Sequence, residues 1–136
     1  MFSIYRGRWE YKYFRKTAST AFAANTLVAE GSGDDIIEPA DSSDTAVVGI
    51  ILQTIASTDS DYADNTRVLV AVPLDASSEM LADTSSTIAV TDEGELMDLT
   101  DEKTVNQAAS STDIVKLKQF VSATTGVFTV NKKAFV

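Results

Sequence analysis

The residues whose types could do chemistry fall into three small groupings. Asp83-Thr84-Ser85 sets a carboxylate beside two hydroxyls, and a pair of such aspartates brought together by two copies would share one proton and work as acid and base. Gly31-Ser32-Gly33 is a short glycine-rich turn of the kind whose main-chain N–H groups cradle a phosphate. Asp59, Asp61, Asp64 and Asn65 gather oxygen ligands of the type calcium prefers into one loop. The last two fall short of their chemistry. Asp34 and Asp35 follow the glycines where a phosphate loop needs a lysine with a hydroxyl residue, or a third glycine opening a helix. The acidic loop lacks the spacing, the central glycine and the terminal glutamate of a calcium-binding helix-loop-helix. Both read as solvated turns, and no metal or cofactor site is expected.

Missing residue types narrow the field further. The chain has no histidine, which removes the usual general base near neutral pH and the commonest metal ligand. A Ser-His-Asp arrangement is therefore impossible, and a Ser-Lys pair cannot be placed by spacing. Without cysteine there are no disulfides and no thiolate metal sites. No catalytic residue is expected.

Charge is strongly segregated along the 136 residues, whose net charge is −9. Residues 1–16 carry Arg6, Arg8, Lys12, Arg15 and Lys16 against Glu10 alone, whereas residues 17–102 hold 18 acidic residues and the single base Arg67. Residues 103–136 return to positive, with five lysines against Asp113. An acidic body of this kind repels phosphate, so direct nucleic-acid binding is not expected. The most apolar stretch, 46–55, is about half the roughly 18 residues that cross a bilayer, so no membrane span is expected. Arg6 and Arg8 are not followed by the apolar run of a secretory signal.

The N-terminal segment FSIYRGRWEYKYF holds six of the eleven aromatic residues. Trp9, Tyr11 and Tyr13 recur with period two around Glu10 and Lys12, which predicts an extended strand with one aromatic face, and Gly7 allows a bend before it. Two readings stay open. The rings belong to a first strand packed in the domain's own core, or residues 1–16 form a protruding arm that adds a strand to a partner. In the second reading Phe2, Ile4, Tyr5, Arg6, Arg8, Trp9, Tyr11, Lys12, Tyr13 and Phe14 bind that partner. The corresponding division is an arm and linker over 1–25, with Phe22 as the linker's anchor, and a single β-rich domain over 26–136.

Within that domain the pattern predicts short strands at 26–29, around Ile36 and Ile37, at 46–55 and at 67–72 before Pro73. Residues 75–83 read as one short helix capped by Asp75. A hairpin is expected between 87–91 and 96–99 around Asp92-Glu93-Gly94, a polar loop over 100–112, and a second hairpin pairing 113–121 with 127–130. The fold class is mainly β: a small barrel or sandwich with one short helix and an extended N-terminal arm.

Four segments, Ala46-Val47-Val48-Gly49-Ile50-Ile51, Arg67-Val68-Leu69-Val70-Ala71-Val72-Pro73-Leu74, Ile88-Ala89-Val90-Thr91-Asp92-Glu93-Gly94-Glu95-Leu96 and Gly126-Val127-Phe128-Thr129-Val130, follow one another in an order that resembles the head-decoration, or cement, proteins of tailed phages. The resemblance implies a β-tulip-like fold and a homotrimer made in the host cytoplasm that sits on the capsid exterior. It also implies the major capsid protein as partner, and stabilisation of capsomer junctions as the role. Two other classes compete. One is a head-completion or tail structural component, which would assemble into rings. The other is a homodimeric enzyme using Asp83, since Asp83-Thr84-Ser85 resembles the aspartic-protease signature, although no glycine-rich flap accompanies it.

Overall fold

A computed structural model describes residues 1–33 and 35–134. The chain is almost entirely β, with one 3₁₀ turn at Val90–Asp92 as its sole helical piece among the described residues. No helix among them is long and apolar enough to cross a membrane. The strands are β1 Phe2–Arg6, β2 Trp9–Lys16, β3 Thr26–Glu30, β4 Ile36–Pro39, β5 Gly49–Ile51, β6 Arg67–Pro73, β7 Glu79–Thr84, β8 Leu96–Leu99, β9 Thr104–Asn106, β10 Val115–Ser122 and β11 Thr125–Val130.

Two sheets share these strands. One closes as a five-stranded barrel in the order β2-β4-β3-β5-β6. The other runs β1-β7-β11-β10-β8-β9, and a parallel pairing of β7 with β9 curls it back on itself. Alternation along single strands builds two cores at once. Val28 of β3 and Ile51 of β5 fill the barrel with Phe14, Ile37, Val68 and Val70. Their neighbours Leu27, Ala29 and Ile50 point out of the barrel and join Phe2, Met80, Leu117 and Phe128 of the other sheet. A strand buried on both faces reads as a continuous apolar run, which is why TLVA lacks the polar alternation of a half-exposed strand.

The expected N-terminal arm is not an arm. β1 pairs with β7 from Phe2↔Ala82 to Arg6↔Glu79, and β2 pairs with β6 at every position from Trp9↔Pro73 to Arg15↔Arg67. Phe2 is fully buried in the core that both sheets share, and Phe14 is 3% exposed inside the barrel. Burying these rings contributes about 1.5–3 kcal/mol each, and it places residues 1–16 inside the body rather than beside it. The boundary at residue 25 therefore divides nothing. Residues 17–25 are an irregular connection held by Phe22, which exchanges two main-chain hydrogen bonds with Ile55.

Four local expectations are also corrected. The predicted helix at 75–83 is a turn followed by β7, whose Met80 and Ala82 enter the core while β1 and β11 pair with its two edges. Ladder bonds on both sides and two core side chains outweigh the helix propensity of Glu-Met-Leu-Ala. The predicted hairpin around Asp92-Glu93-Gly94 is the 3₁₀ turn, in which Asp92 Oδ2 accepts from the N–H of Ala89 at 2.8 Å, and β8 pairs instead with β10 and β9. The loop expected over 100–112 contains β9. The long strand expected at 46–55 is only Gly49–Ile51, flanked by single bridges at Val47 and Ile55. The β10–β11 hairpin is present, with register shifts after Leu117 and Phe120.

Candidate partner-binding face

Gly7 sets the two N-terminal strands apart. It takes φ +96°, and a Cβ there would lie 1.7 Å from the carbonyl oxygen of Ser77, so only glycine fits between β1 and the turn before β7. The chain can thus leave one sheet at Arg6 and enter the other at Trp9.

On β2, period two separates two faces. Phe14 and Lys16 point into the barrel and are buried; Tyr11 and Tyr13 point out and are each 59% exposed, opposite Ala71 and Leu69 of β6. Trp9 begins the same outer row but packs half-buried against the shared core, its Nε1 donating to the carbonyl of Arg6 at 3.1 Å. On β1, Ile4 and Tyr5 are exposed at 36% and 46%. The sequence-predicted set therefore splits. Ile4, Tyr5, Tyr11 and Tyr13 reach solvent with Arg6, Arg8 and Lys12, whereas Phe2 and Phe14 are core and Trp9 lies between.

The cations of this region are tied down. Arg6 pairs with Glu79, whose hydrogen bond and charge push the guanidinium above its ordinary pKa, and it lies 5.3 Å from the Tyr5 ring centre. Arg8 pairs with Asp75 at 3.4 Å, and Lys12 stands over the Phe14 ring at 5.9 Å. Lys16, read from sequence as part of a basic arm, is wholly buried. Its Nζ donates to the carbonyls of Tyr62 at 3.0 Å and Asp64 at 2.6 Å, fastening the loop 57–65 over the barrel end.

β2 also carries an open edge. It meets β4 only through Arg15 and Lys16, so among the described residues no strand pairs with its second edge over residues 9–14. Arg15 donates its N–H to Asp35 on that side at 3.1 Å, so by strand alternation the main-chain groups of Tyr11 and Tyr13 face the same open edge. Beneath it, Glu10, Lys12 and Phe14 line a small cleft of about 80 Å³ with Val48, Val72 and Ala134. Leu69, which extends the tyrosine row onto β6, was not foreseen. The signal was available, because Val68, Val70 and Val72 already claim the inward face.

The remaining candidates are occupied by structural work. Asp83 lies at the surface, where one carboxylate oxygen takes the N-terminal ammonium at 2.9 Å and the other accepts from the Thr125 hydroxyl at 3.3 Å. In the acidic loop, Asp59 accepts from the N–H of Ala56 and Asp61 from the hydroxyl of Thr66, while Asn65 donates to the carbonyl of Lys16. At the glycine-rich turn, the N–H of Gly31 donates to Ile36 in a tight reversal; Asp34, half of the pair predicted to repel phosphate, lies outside the described residues. Among the described residues Asp98 is the most heavily used carboxylate. It is 4% exposed and accepts from the main-chain N–H groups of Ser111, Thr112 and Asp113 and from the Ser111 hydroxyl, all within 2.9 Å. Burial alone would raise its pKa, yet these four donors hold it well below the usual carboxylate range. No protein-family model and no curated protein matches this chain.

Proposed function

We propose that the chain is a non-enzymatic structural protein that decorates the exterior of a phage head as a homotrimer, binding the major capsid protein and bracing capsomer junctions. The observation that carries this reading is the open, aromatic edge of β2. Tyr11 and Tyr13 stand exposed on a closed barrel, and their main-chain groups face an edge that lacks a strand among the described residues. A partner strand added there would gain main-chain hydrogen bonds, rest against the tyrosines and set alternate side chains into the cleft below. Tyrosine is enriched among residues that dominate interface energies.

The grip differs from a flexible arm in one physical respect. An arm must be ordered on binding, at about 1–2 kcal/mol of backbone entropy per residue. β2 is already ordered by β6, so that cost has been met on folding. Three such edges on one trimer would make each further contact intramolecular, so modest single contacts add up to a firm clamp on a shell strained outward by its DNA. Exposed charges at Glu10 and Lys12 guard the edge against pairing with itself.

Cosedimentation and imaging with undecorated capsids tests the reading. Tyr11→Pro removes an edge-facing N–H without touching the ladder to β6, and Tyr11→Ala with Tyr13→Ala removes the rings. Either change abolishes capsid binding while the protein stays folded. Unchanged binding by both would refute the role of this edge, and a dimer or an extended ring in place of a trimer would refute the assembly.

A further inference from the structure

The C-terminal lysines converge on a second cleft, which shares Lys133 with the cleft beneath the β2 edge. It measures about 360 Å³ and is lined by Lys116, Lys118 and Lys133, with Thr129 and Asn131 on one side and Pro73 and the exposed Leu74 as an apolar wall. Leu117, between the first two lysines, is fully buried, while Lys116 and Lys118 both line the cleft on either side of the register shift in β10.

Lys116 and Lys118 differ from most of the other cations. Arg6, Arg8, Arg67, Lys103 and the N-terminus each meet a carboxylate, and Lys16 meets two carbonyls. No carboxylate among the described residues pairs with Lys116 or Lys118. Asp75, the one acidic residue among the described residues of the lining, is already engaged: Ser77 donates to it through its hydroxyl and its N–H, and Arg8 lies beside it, which together hold its pKa below the ordinary value. A chain of net charge −9 has thus gathered positive charge at one concave place.

We propose that this cleft takes an extended, carboxylate-bearing peptide segment whose acidic side chains, two residues apart, match Lys116 and Lys118 while an intervening apolar side chain rests on Pro73 and Leu74. A single strand of nucleic acid is the other anionic ligand of suitable width, and two observations count against it. Among the described residues no aromatic side chain lines the cleft, so none of them offers bases a surface to stack on. The acidic body also repels a long polyanion that runs beyond the cleft, whereas a short peptide stays within one screening length of the lysines, about 8 Å at physiological salt.

The test uses the full chain and no capsid, so it stands or falls independently of the decorating role. Fluorescence anisotropy follows a labelled pentapeptide of alternating aspartate and leucine, with a thymidine pentanucleotide alongside, at low and at physiological salt. The peptide binds saturably and weakens as salt rises. Lys116→Glu with Lys118→Glu weakens it about tenfold or more, a loss of about 1.4 kcal/mol. Lys116→Gln with Lys118→Gln, which keeps the stems that pack on the strand, gives a smaller loss in the same direction, and thermal unfolding of both variants shows that they fold. The proposal is overturned if the peptide does not bind at low salt, if neither pair of substitutions weakens it, or if the pentanucleotide binds more tightly.

Discussion

Replacing Asp98 by asparagine tests how this fold holds a segment that has little regular structure of its own. Asparagine keeps the shape of the side chain but removes the charge and turns one acceptor into a donor. With its oxygen in place of Oδ1 it still accepts from Thr112 and Asp113, each at 2.8 Å in the native chain. Its amide nitrogen then faces the N–H of Ser111, and a buried donor without an acceptor costs about 1–3 kcal/mol. The two surviving bonds lose their ionic character, at about 1 kcal/mol each. The sum is about 3–5 kcal/mol, a large share of the 5–15 kcal/mol that stabilises a typical domain. At about 2.1 cal/mol/K per residue of unfolding entropy, Tm falls by roughly 10–17 °C at neutral pH. The pH dependence has a definite sign. The folded-state pKa of Asp98 is depressed, so its contribution is present above the unfolded value near 4 and is lost as pH falls toward the folded one. Thermal unfolding of both proteins from pH 7 to pH 2.5 should therefore show a wide gap that narrows below about pH 4. A gap under about 0.5 kcal/mol at pH 7, or one that stays constant across the range, would refute the reasoning.

Neighbouring positions on β2 give a second check. Phe14→Ala opens a cavity inside the barrel and costs about 3–5 kcal/mol, whereas Tyr13→Ala, on the outer face, stays within about 0.5 kcal/mol; urea titration separates them, and equal losses would mean that the faces are misassigned. Gly7→Ala combines a positive φ with a collision against Ser77 and should cost about 2–4 kcal/mol in the same assay, with a neutral result excluding the tight turn.

Much of the architecture could be read from residue order, and the failures share one cause. Strands whose alternation or β-branched runs reflect their own surroundings, such as 26–29 and 67–72, appear where expected. The mistakes fall where a distant partner decides. Glu79-Met80-Leu81-Ala82 has helix-forming residues, yet Phe2 and Val127 lie across from it on either side and make it a central strand. Residues 1–16 are basic and aromatic like an arm, yet the slot they fill is created by segments 50 or more positions later, which local reading does not contain. For the candidate face, the period-two aromatic row was legible. The orientation of Phe2 and Phe14 was not, because both belong to the same aromatic cluster and only the barrel distinguishes inside from outside. Lys16 was hidden for a similar reason: its two carbonyl acceptors come from Tyr62 and Asp64.

The way the first two strands are shared between sheets also fixes an order of events during synthesis. Phe2 must wait for Ala82 and Trp9 for Pro73, so residues 1–16 are synthesised well before the strands they pair with. At about 5–20 residues per second, the aromatic segment spends several seconds unpaired. During that interval its alternating charges at Arg6, Arg8, Glu10 and Lys12 are its protection against premature association. Once the late segments arrive, one glycine-hinged stretch of sixteen residues stitches both sheets together.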